Sequence, residues 1–316
     1  ELRAVTWFLS GAVFIGSALT SVVAVAISIR VARRWHLLDY PDQVRKNQSE
    51  PVPKLGGIAV AIAFSLAATF ALIIIGKTAD LGLAWVVILP SLAAALVGYW
   101  DDLRAIDPAP RLLLQAGIGA LAWGLGTRTE VTGVTWVDLL ITVLWFMVII
   151  NGVNLLDNSD GLAAGTVLVS SLGAALIAVL FGQELVLLLA IALVGVCLGY
   201  LRYNWFPARV YLGDSGAYFL GAMLASLIIG LRPASISPAI GVVLALLLAA
   251  LPILDTAYVV ARRLRAGIHP FTAGRDHLAH RLQDKGRTVA GSVLTLQAGL
   301  FVTTAVAIGL AAAQVP

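Results

Sequence analysis

Charged side chains are scarce in this chain. Lys, Arg, Asp and Glu make up 12% of its 316 residues, about half of the roughly 25% that is usual in soluble domains. Cysteine occurs once, at Cys197. The low charge excludes an average soluble domain, and the single cysteine excludes an intramolecular disulfide.

Hydrophobic residues take the place of the missing charges. They form 60% of the chain, and the mean hydropathy is +0.95. Apolar runs of about 20 residues recur along the whole length, and they are continuous rather than alternating, which favours membrane-spanning helices over a β-barrel. We therefore predict an all-α polytopic membrane protein with a single domain over residues 1–316. The ten predicted spans are roughly 7–29, 57–75, 82–100, 112–126, 136–153, 162–181, 184–200, 216–231, 238–260 and 290–312.

Basic residues are distributed unevenly among the predicted loops. If the N-terminus is placed outside, the outer side holds Arg3, Lys77, Arg128 and Arg232, which leaves 17 of the 21 Lys and Arg residues on the other side. The positive-inside rule makes that side the cytoplasm. Ten spans then place both termini outside the plasma membrane. Every dense polar motif lies on the cytoplasmic side, so we expect the functional site there.

The densest polar motif, NGVNLLDNSDG, follows the fifth predicted span at residues 151–161. Asn151, Asn154, Asp157 and Asn158 recur at helical spacing and would share one helix face. Buried polar side chains are costly without partners. Water, a metal or a charged ligand is therefore expected at this motif, and a solvated loop between two helices is the alternative.

Two further carboxylate motifs lie on the same predicted side. Asp101 and Asp102 end the third span, and such a pair usually faces water, a metal or a cation because the two carboxylates repel each other. A solvated helix end is the alternative. Asp214, in YLGDSG before the eighth span, would cap a helix or mark a phosphate site at a helix N-terminus. Carboxylates together with amides favour a hard cation such as Mg²⁺.

Cationic side chains accompany these acids. Asp276 is predicted to cap a short helix on which His277, His280 and Arg281 share one face. Imidazole and guanidinium groups favour phosphate binding, whereas zinc is less favoured because this segment has no cysteine. A basic helix that binds lipid headgroups is the alternative. Lys54, in the motif PKLGG, lies at the start of the second span.

These motifs, in this order and on one predicted side, resemble those of the polyprenyl-phosphate N-acetylhexosamine-1-phosphate transferases, the bacterial type of glycosyltransferase family 4. The resemblance runs from PKLGG to His280. It implies ten helices with both termini outside, and transfer of a sugar phosphate from a UDP-N-acetylhexosamine to a polyprenyl phosphate with release of UMP. Such a transfer is the first membrane step of cell-envelope glycopolymer synthesis. It also implies Mg²⁺ as cofactor, with Mn²⁺ as an alternative.

The resemblance implies roles for individual residues. The metal ligands would be Asp214 and Asn154. The candidate catalytic acids are Asp101, Asp102, Asp157 and Asp160, with Asp101 at the position of the proposed base. The substrate-binding residues would be Lys54, Arg111, Asn151, Tyr211, His277, His280 and Arg281. Among these, Tyr211 would stack on uracil and Arg111 would contact phosphate.

Two positions depart from the family pattern. Asn158 stands where glycine is common, and Ala279 stands where bacterial relatives have a further histidine. The shape of the 157–161 loop and the sugar specificity therefore stay open. Asp255, in the family-like stretch LPILDT, has no assigned role.

Several functions remain as alternatives. The chain is more similar to enzymes that use UDP-N-acetylglucosamine and undecaprenyl phosphate than to the phospho-MurNAc-pentapeptide translocase of peptidoglycan synthesis, which is the nearest alternative. A membrane transporter would place ionisable groups near the bilayer midplane, and a structural scaffold would not need carboxylates on one side. We expect no nucleic-acid partner, and the sequence is compatible with a homodimer.

Overall fold

A computed structural model describes residues 2–40, 50–74, 80–233, 235–272 and 274–315. The predicted outer residue Lys77 and the predicted end of the second span at residue 75 lie outside these ranges. The helices are α1 (Leu2–Arg34), α2 (Gly56–Ile74), α3 (Leu81–Arg104), α4 (Pro108–Leu125), α5 (Thr135–Leu156), α6 (Leu162–Leu180), α7 (Glu184–Asn204), α8 (Gly213–Gly230), α9 (Pro238–Leu248), α10 (Ala250–Arg265), α11 (Leu278–Asp284) and α12 (Val289–Ala312). Two short antiparallel strands, β1 (Leu38–Asp39) and β2 (Val52–Pro53), join α1 to α2.

The all-α membrane architecture is confirmed. Eight of the described helices are long and apolar enough to cross a bilayer, and the bent pair α9 and α10 would make nine. Helix α4, predicted as a span at 112–126, does not qualify, because it contains Arg111 and Gln115. It nevertheless runs from one end of the bundle to the other. Arg111 contacts Asp101 at its start, and the loop after its end reaches Arg232, beyond the end of α8.

Helix α8 lies at the centre of the bundle. It packs against α3, α5, α2 and α6, and it is both the most buried and the least hydrophobic of the eight long helices. Glycine allows this close packing, as small residues often do between membrane helices. A Cβ atom at Gly57 of α2 would overlap the backbone of Gly216, and one at Gly98 of α3 would overlap the carbonyl oxygen of Asp214. The first turn of α8 is therefore held closely between α2 and α3.

The ninth predicted span, over 238–260, is not one straight helix. The structure has two helices there, bent by 74° at Ala249. Pro252 explains the break, because proline has no N–H to donate to the carbonyl of Leu248 and its ring crowds that carbonyl. The Ser170 hydroxyl on α6 donates to the Leu248 oxygen at 2.6 Å instead. This bond satisfies a backbone group that lipid could not satisfy. The bend lets α10 pack against α5, where Pro252 contacts Gly152.

A polar network closes the far end of α8. Glu130, in the loop between α4 and α5, lies 3.0 Å from Arg128 Nε and 3.4 Å from Arg232 Nη1. In the first turn of α5, the Asp138 carboxylate accepts hydrogen bonds from three consecutive backbone N–H groups of this loop, at residues 131–133. These contacts tie the α4–α5 loop to the α8–α9 loop, at the end of α8 opposite Asp214.

Candidate active site

Acidic side chains from α3 and α8 meet at the start of α8. Asp102, at the end of α3, accepts the backbone N–H groups of Asp214 and Ser215, each at 3.0 Å. The residue at the N-cap position, Leu212, provides no side-chain cap. Asp102 therefore caps α8 from a neighbouring helix, and it satisfies N–H groups that have no partner within α8.

The two predicted metal ligands are brought together at this helix start. Asn154, in the last turn of α5, donates its Nδ2 to Asp214 Oδ1 at 2.6 Å. The amide oxygen of Asn154 and the second carboxylate oxygen of Asp214 lie on neighbouring helix ends, as the two motifs predicted. Both groups offer oxygen atoms, which hard cations prefer.

Asp157 and Asp160 lie in the loop between α5 and α6 and extend the same cluster. Burial raises the pKa of Asp157 well above its usual range, and the negative charges of Asp214, Asp102 and Asp160 raise it further. Asp160 accepts the N–H of Ala208 at 2.9 Å, and burial raises its pKa as well. Carboxylates whose charges act on one another in this way stabilise a bound cation. We call Asp102, Asp157, Asp160 and Asp214 the acid cluster.

Asp101 is buried beside the acid cluster, and its oxygens already have partners. Oδ2 accepts the Tyr218 hydroxyl at 2.7 Å and lies 3.6 Å from Arg111 Nη1. Oδ1 accepts the N–H of Ile106 at 2.7 Å. These contacts fix the Asp101 side chain, and through Arg111 they connect α3 to the start of α4.

Tyr211 borders the acid cluster in the segment before α8. Its N–H donates to the Pro53 carbonyl at 2.8 Å, and its carbonyl accepts the Gly56 N–H at 3.2 Å. Burial raises the pKa of the Tyr211 hydroxyl, and the nearby charge of Asp160 adds to this effect. The motif PKLGG thus holds the backbone of Tyr211 at the edge of the cluster, with the ring half-buried.

Lys54 lies on the same edge of the acid cluster, but it forms an ion pair with an acid outside the cluster. Its Nζ atom is 2.6 Å from Asp39 Oδ1 on β1, and its charge also acts on Asp102. The side chain of Lys54 remains partly exposed. Its ammonium therefore lies between the hairpin and the cluster, where a phosphate group could approach it.

Asn151 makes its described contacts outside the acid cluster. Its side-chain amide bonds to the Gln115 side chain on α4 and donates to the Met147 carbonyl at 2.8 Å. These bonds join α5 to α4, one helical turn before Asn154. They give Asn151 a packing role, and its predicted contact with substrate stays a prediction.

A second polar cluster lies where α10 meets α11. His277 Nδ1 is 2.8 Å from Asp255 Oδ2, and the rings of His277 and His280 meet edge to face with centroids 5.9 Å apart. Both histidines are buried, whereas Arg281 is exposed. The predicted common face therefore holds for the two imidazoles and not for the guanidinium.

The predicted cap of the short helix is wrong. Helix α11 begins at Leu278, and the residue at its N-cap position is His277. The Asp276 carboxylate instead receives two hydrogen bonds from Arg263, at 2.6 and 2.8 Å. A bidentate guanidinium contact is stronger than a bond to a neutral N–H, and it lowers the pKa of Asp276. The hydrogen bond predicted for Asp276 at the start of α11 is made by Asp255, whose Oδ1 accepts the Leu278 N–H at 2.8 Å.

Sequence reasoning missed the residues that support the acid cluster. Asn204, at the end of α7, accepts the N–H of Gly161 at 3.0 Å and donates to the Val210 carbonyl at 2.9 Å. Gln297 of α12 donates to the Gly161 carbonyl at 3.2 Å. Each is a polar amide in or beside an apolar run, and that is the pattern that could have identified it.

Comparison with known proteins connects this geometry to a family. Residues 84–232, which contain the acid cluster, match the model of glycosyl transferase family 4. A decaprenyl-phosphate N-acetylglucosaminephosphotransferase from Mycolicibacterium smegmatis is 30% identical, over 84% of this chain and 73% of the relative. This chain belongs to glycosyl transferase family 4.

Other relatives extend the match. A probable undecaprenyl-phosphate N-acetylglucosaminyl 1-phosphate transferase from Bacillus subtilis is 29% identical over 96% of this chain and 85% of the relative. A phospho-N-acetylmuramoyl-pentapeptide-transferase from Moorella thermoacetica is 34% identical over 60% of this chain and 64% of the relative. The resemblance inferred from the motifs is therefore confirmed.

Proposed function

We propose that this family 4 member transfers N-acetylglucosamine 1-phosphate from UDP-N-acetylglucosamine to a polyprenyl phosphate and releases UMP. The observation that carries the proposal is the acid cluster at the start of α8, built at one end of a membrane-spanning bundle. A lipid acceptor suits a site at a helix end better than a transport path, which would need ionisable groups near the bilayer midplane. The N-acetylglucosamine donor follows from the names of the relatives that match most of the chain.

The acid cluster fits a magnesium ion held together with a substrate. Within the described ranges, no three His, Cys, Asp or Glu side chains are grouped closely enough to hold a metal by themselves. Mg²⁺ is usually bound by one or two carboxylates, water and substrate phosphates. Asp214 and Asn154 supply oxygen atoms of that kind. When bound, the ion would neutralise charge on the diphosphate of the nucleotide sugar.

The proposed reaction is a single displacement at phosphorus. An oxygen of the lipid phosphate attacks the β-phosphorus of the UDP-sugar, and the bond from that phosphorus to the bridging oxygen breaks. The electron pair of that bond leaves with UMP. A phosphate monoester has a second pKa near 6, so the lipid phosphate is mostly dianionic at neutral pH and scarcely needs a base.

The protein side chains act by placement and charge. Arg111, held by Asp101, would contact phosphate at the start of α4. Lys54 would do so from the opposite edge, and Tyr211 offers a half-buried ring for the uracil. Because Asp101 is bonded on both oxygens, we assign it to positioning Arg111 rather than to proton abstraction.

The test is release of labelled UMP from purified enzyme in detergent. We expect release from UDP-N-acetylglucosamine only when a polyprenyl phosphate is present, loss of release with EDTA, and recovery with Mg²⁺. Asp214→Asn should remove nearly all turnover, whereas Asp284→Asn, at the exposed end of α11, should not. Release without lipid, or a requirement for UDP-MurNAc-pentapeptide, would contradict the proposal.

A further inference from the structure

Asp255 lies outside the acid cluster, and the proposed reaction gives it no role. It is 1% exposed and lies on α10, in the helix that the bend turns toward α5. Its Oδ2 lies 2.8 Å from His277 Nδ1, and its Oδ1 accepts the Leu278 N–H at 2.8 Å. A buried carboxylate is costly unless it is paired. One oxygen of Asp255 thus contacts the His277 imidazole, and the other accepts a hydrogen bond from the first turn of α11.

The contact with Asp255 determines which nitrogen of His277 can face a ligand. An ionised carboxylate only accepts hydrogen bonds, so the proton of the ring must lie on Nδ1. Nε2 is then the nitrogen left for another partner. Carboxylates orient imidazoles in this way in metal sites, where they fix both the ring plane and the tautomer.

His280 supplies an independent indication that a ligand group binds beside His277. It is 7% exposed, and its Nδ1 has no hydrogen-bond partner among the described residues. Burial lowers the pKa of His280, and the positive charges of Arg275 and His277 lower it further. A buried polar atom without a partner is rare in folded proteins. The neutral His280 ring and the oriented His277 ring therefore form a polar surface on which His280 Nδ1 has no hydrogen-bond partner among the described residues.

We propose that Asp255 is a positioning residue for substrate binding: it holds His277 so that Nε2–H donates to a phosphate oxygen of the bound nucleotide sugar. This inference rests on the proposed function. With a carboxylate at Nδ1 and a phosphate at Nε2, the ring carries a proton on both nitrogens and adds a positive charge to the site. The Leu278 contact fixes the start of α11, so the same carboxylate orients the ring and the helix that bears His280.

The first test reads the tautomer directly and does not depend on activity. The chain has four histidines, so ¹⁵N-histidine labelling gives few signals, and His277→Gln identifies those of residue 277. We expect Nδ1 of His277 to be protonated in the wild type. In Asp255→Asn, the amide oxygen can still accept the Leu278 N–H, but the amide nitrogen must donate to Nδ1, which moves the ring proton to Nε2. An unchanged ¹⁵N pattern would overturn the positioning role.

The second test separates positioning from folding. Loss of such an orienting partner typically costs about 10- to 100-fold in affinity or activity. The amide introduced by this substitution still orients the ring, but it cannot stabilise the doubly protonated, positively charged form that faces the phosphate. We therefore expect Asp255→Asn to raise KM for UDP-N-acetylglucosamine by about 10-fold or more and to leave KM for the polyprenyl phosphate unchanged. A purely structural role would lower the yield of folded enzyme with both KM values intact, and this result would also overturn the proposal.

A matched control lies in the same segment. Asp284→Asn makes the same chemical change at an exposed position of α11 and should alter neither the ¹⁵N signals of His277 nor either KM. If the wild type released no UMP from any nucleotide sugar, the proposed function would fail, while the tautomer measurement would still decide whether Asp255 orients His277.

Discussion

At the scale of single residues, the acid cluster opposes folding in the absence of a cation. Asp157 is half-buried beside Asp214, Asp102 and Asp160, and its pKa is raised well above the usual range of a carboxyl group. An aspartate with a raised pKa in the folded state weakens folding as the pH rises above the unfolded pKa, near 3.8. The reason is that the unfolded chain then ionises freely while the folded chain resists ionisation. The acid cluster therefore reduces stability at neutral pH.

We predict that Asp157→Asn stabilises the metal-free enzyme while it impairs turnover. At pH 7 its melting temperature in detergent should exceed that of the wild type by several degrees. The difference should shrink as the pH falls through 3.8 and below, where the wild-type carboxyl is protonated in both states. Mg²⁺ together with nucleotide sugar should also reduce the difference, because a bound cation offsets the repulsion. A melting temperature equal to or below that of the wild type at pH 7 would contradict this account.

Most of the acid cluster could be predicted from the sequence, because its members are close to helix ends on one predicted side. Asp214 and Asn154 meet as expected. The partners of Asp255 and Asp276 could not be predicted, because they depend on the direction of the chain after the α9–α10 bend. Hydropathy shows that residues 238–260 are apolar and carries no information on direction. Pro252 was the available indication of a break.

At the scale of helices, close approach to α8 sets the geometry of the site. A Cβ atom at Gly98 would overlap the Asp214 carbonyl, so any larger residue must push α3 away from the first turn of α8. That displacement would also move Asp102, which caps α8 from the end of α3. The spacing between α3 and α8 thus controls two acids of the cluster.

We predict that Gly98→Ala loses most activity and destabilises the protein by about 1–3 kcal/mol, as is usual for overpacking. Gly124→Ala in α4 is the matched control, since nothing lies within 4 Å of its added methyl group. That change should be neutral or stabilising by about 0.5–1 kcal/mol, because alanine favours a helix more than glycine does. Thermal unfolding and UMP release of the two variants test both expectations. Equal behaviour of the two would show that α3 has room to move.

At the scale of the whole molecule, the ten predicted spans correspond to eight long apolar helices, the bent pair α9 and α10, and the more polar α4. Helix α4 runs between the same two ends of the bundle as α8, although its composition alone does not identify it as a membrane span. An even number of membrane spans would place both termini on the same side of the membrane. The sequence predicted this architecture well because helix length and apolar character are local properties. Arg111 and Gln115 made α4 the exception.

We propose that the acid cluster faces the cytoplasm of a plasma-membrane enzyme, and cysteine accessibility can test this orientation. Cys197 is buried and is the only native cysteine, so introduced cysteines should dominate labelling. Ser235→Cys, beyond the far end of α8, should react with an impermeant thiol reagent in intact cells. Lys285→Cys, after α11, should react only once the membrane is permeabilised. The reverse pattern would invert the orientation and place the acid cluster outside.

The position of α8 in the chain has a consequence for how the enzyme is made. Helix α8 is the least hydrophobic of the eight long helices, yet it is the most buried, so lipid alone is a poor environment for it. Its main partners α2, α3, α5 and α6 all leave the ribosome before it, and they can receive it as it enters the membrane. Until then Asp102 has no helix start to cap and Asn154 has no carboxylate to meet. The acid cluster can therefore form only after α8 has docked, once the first seven helices have been made.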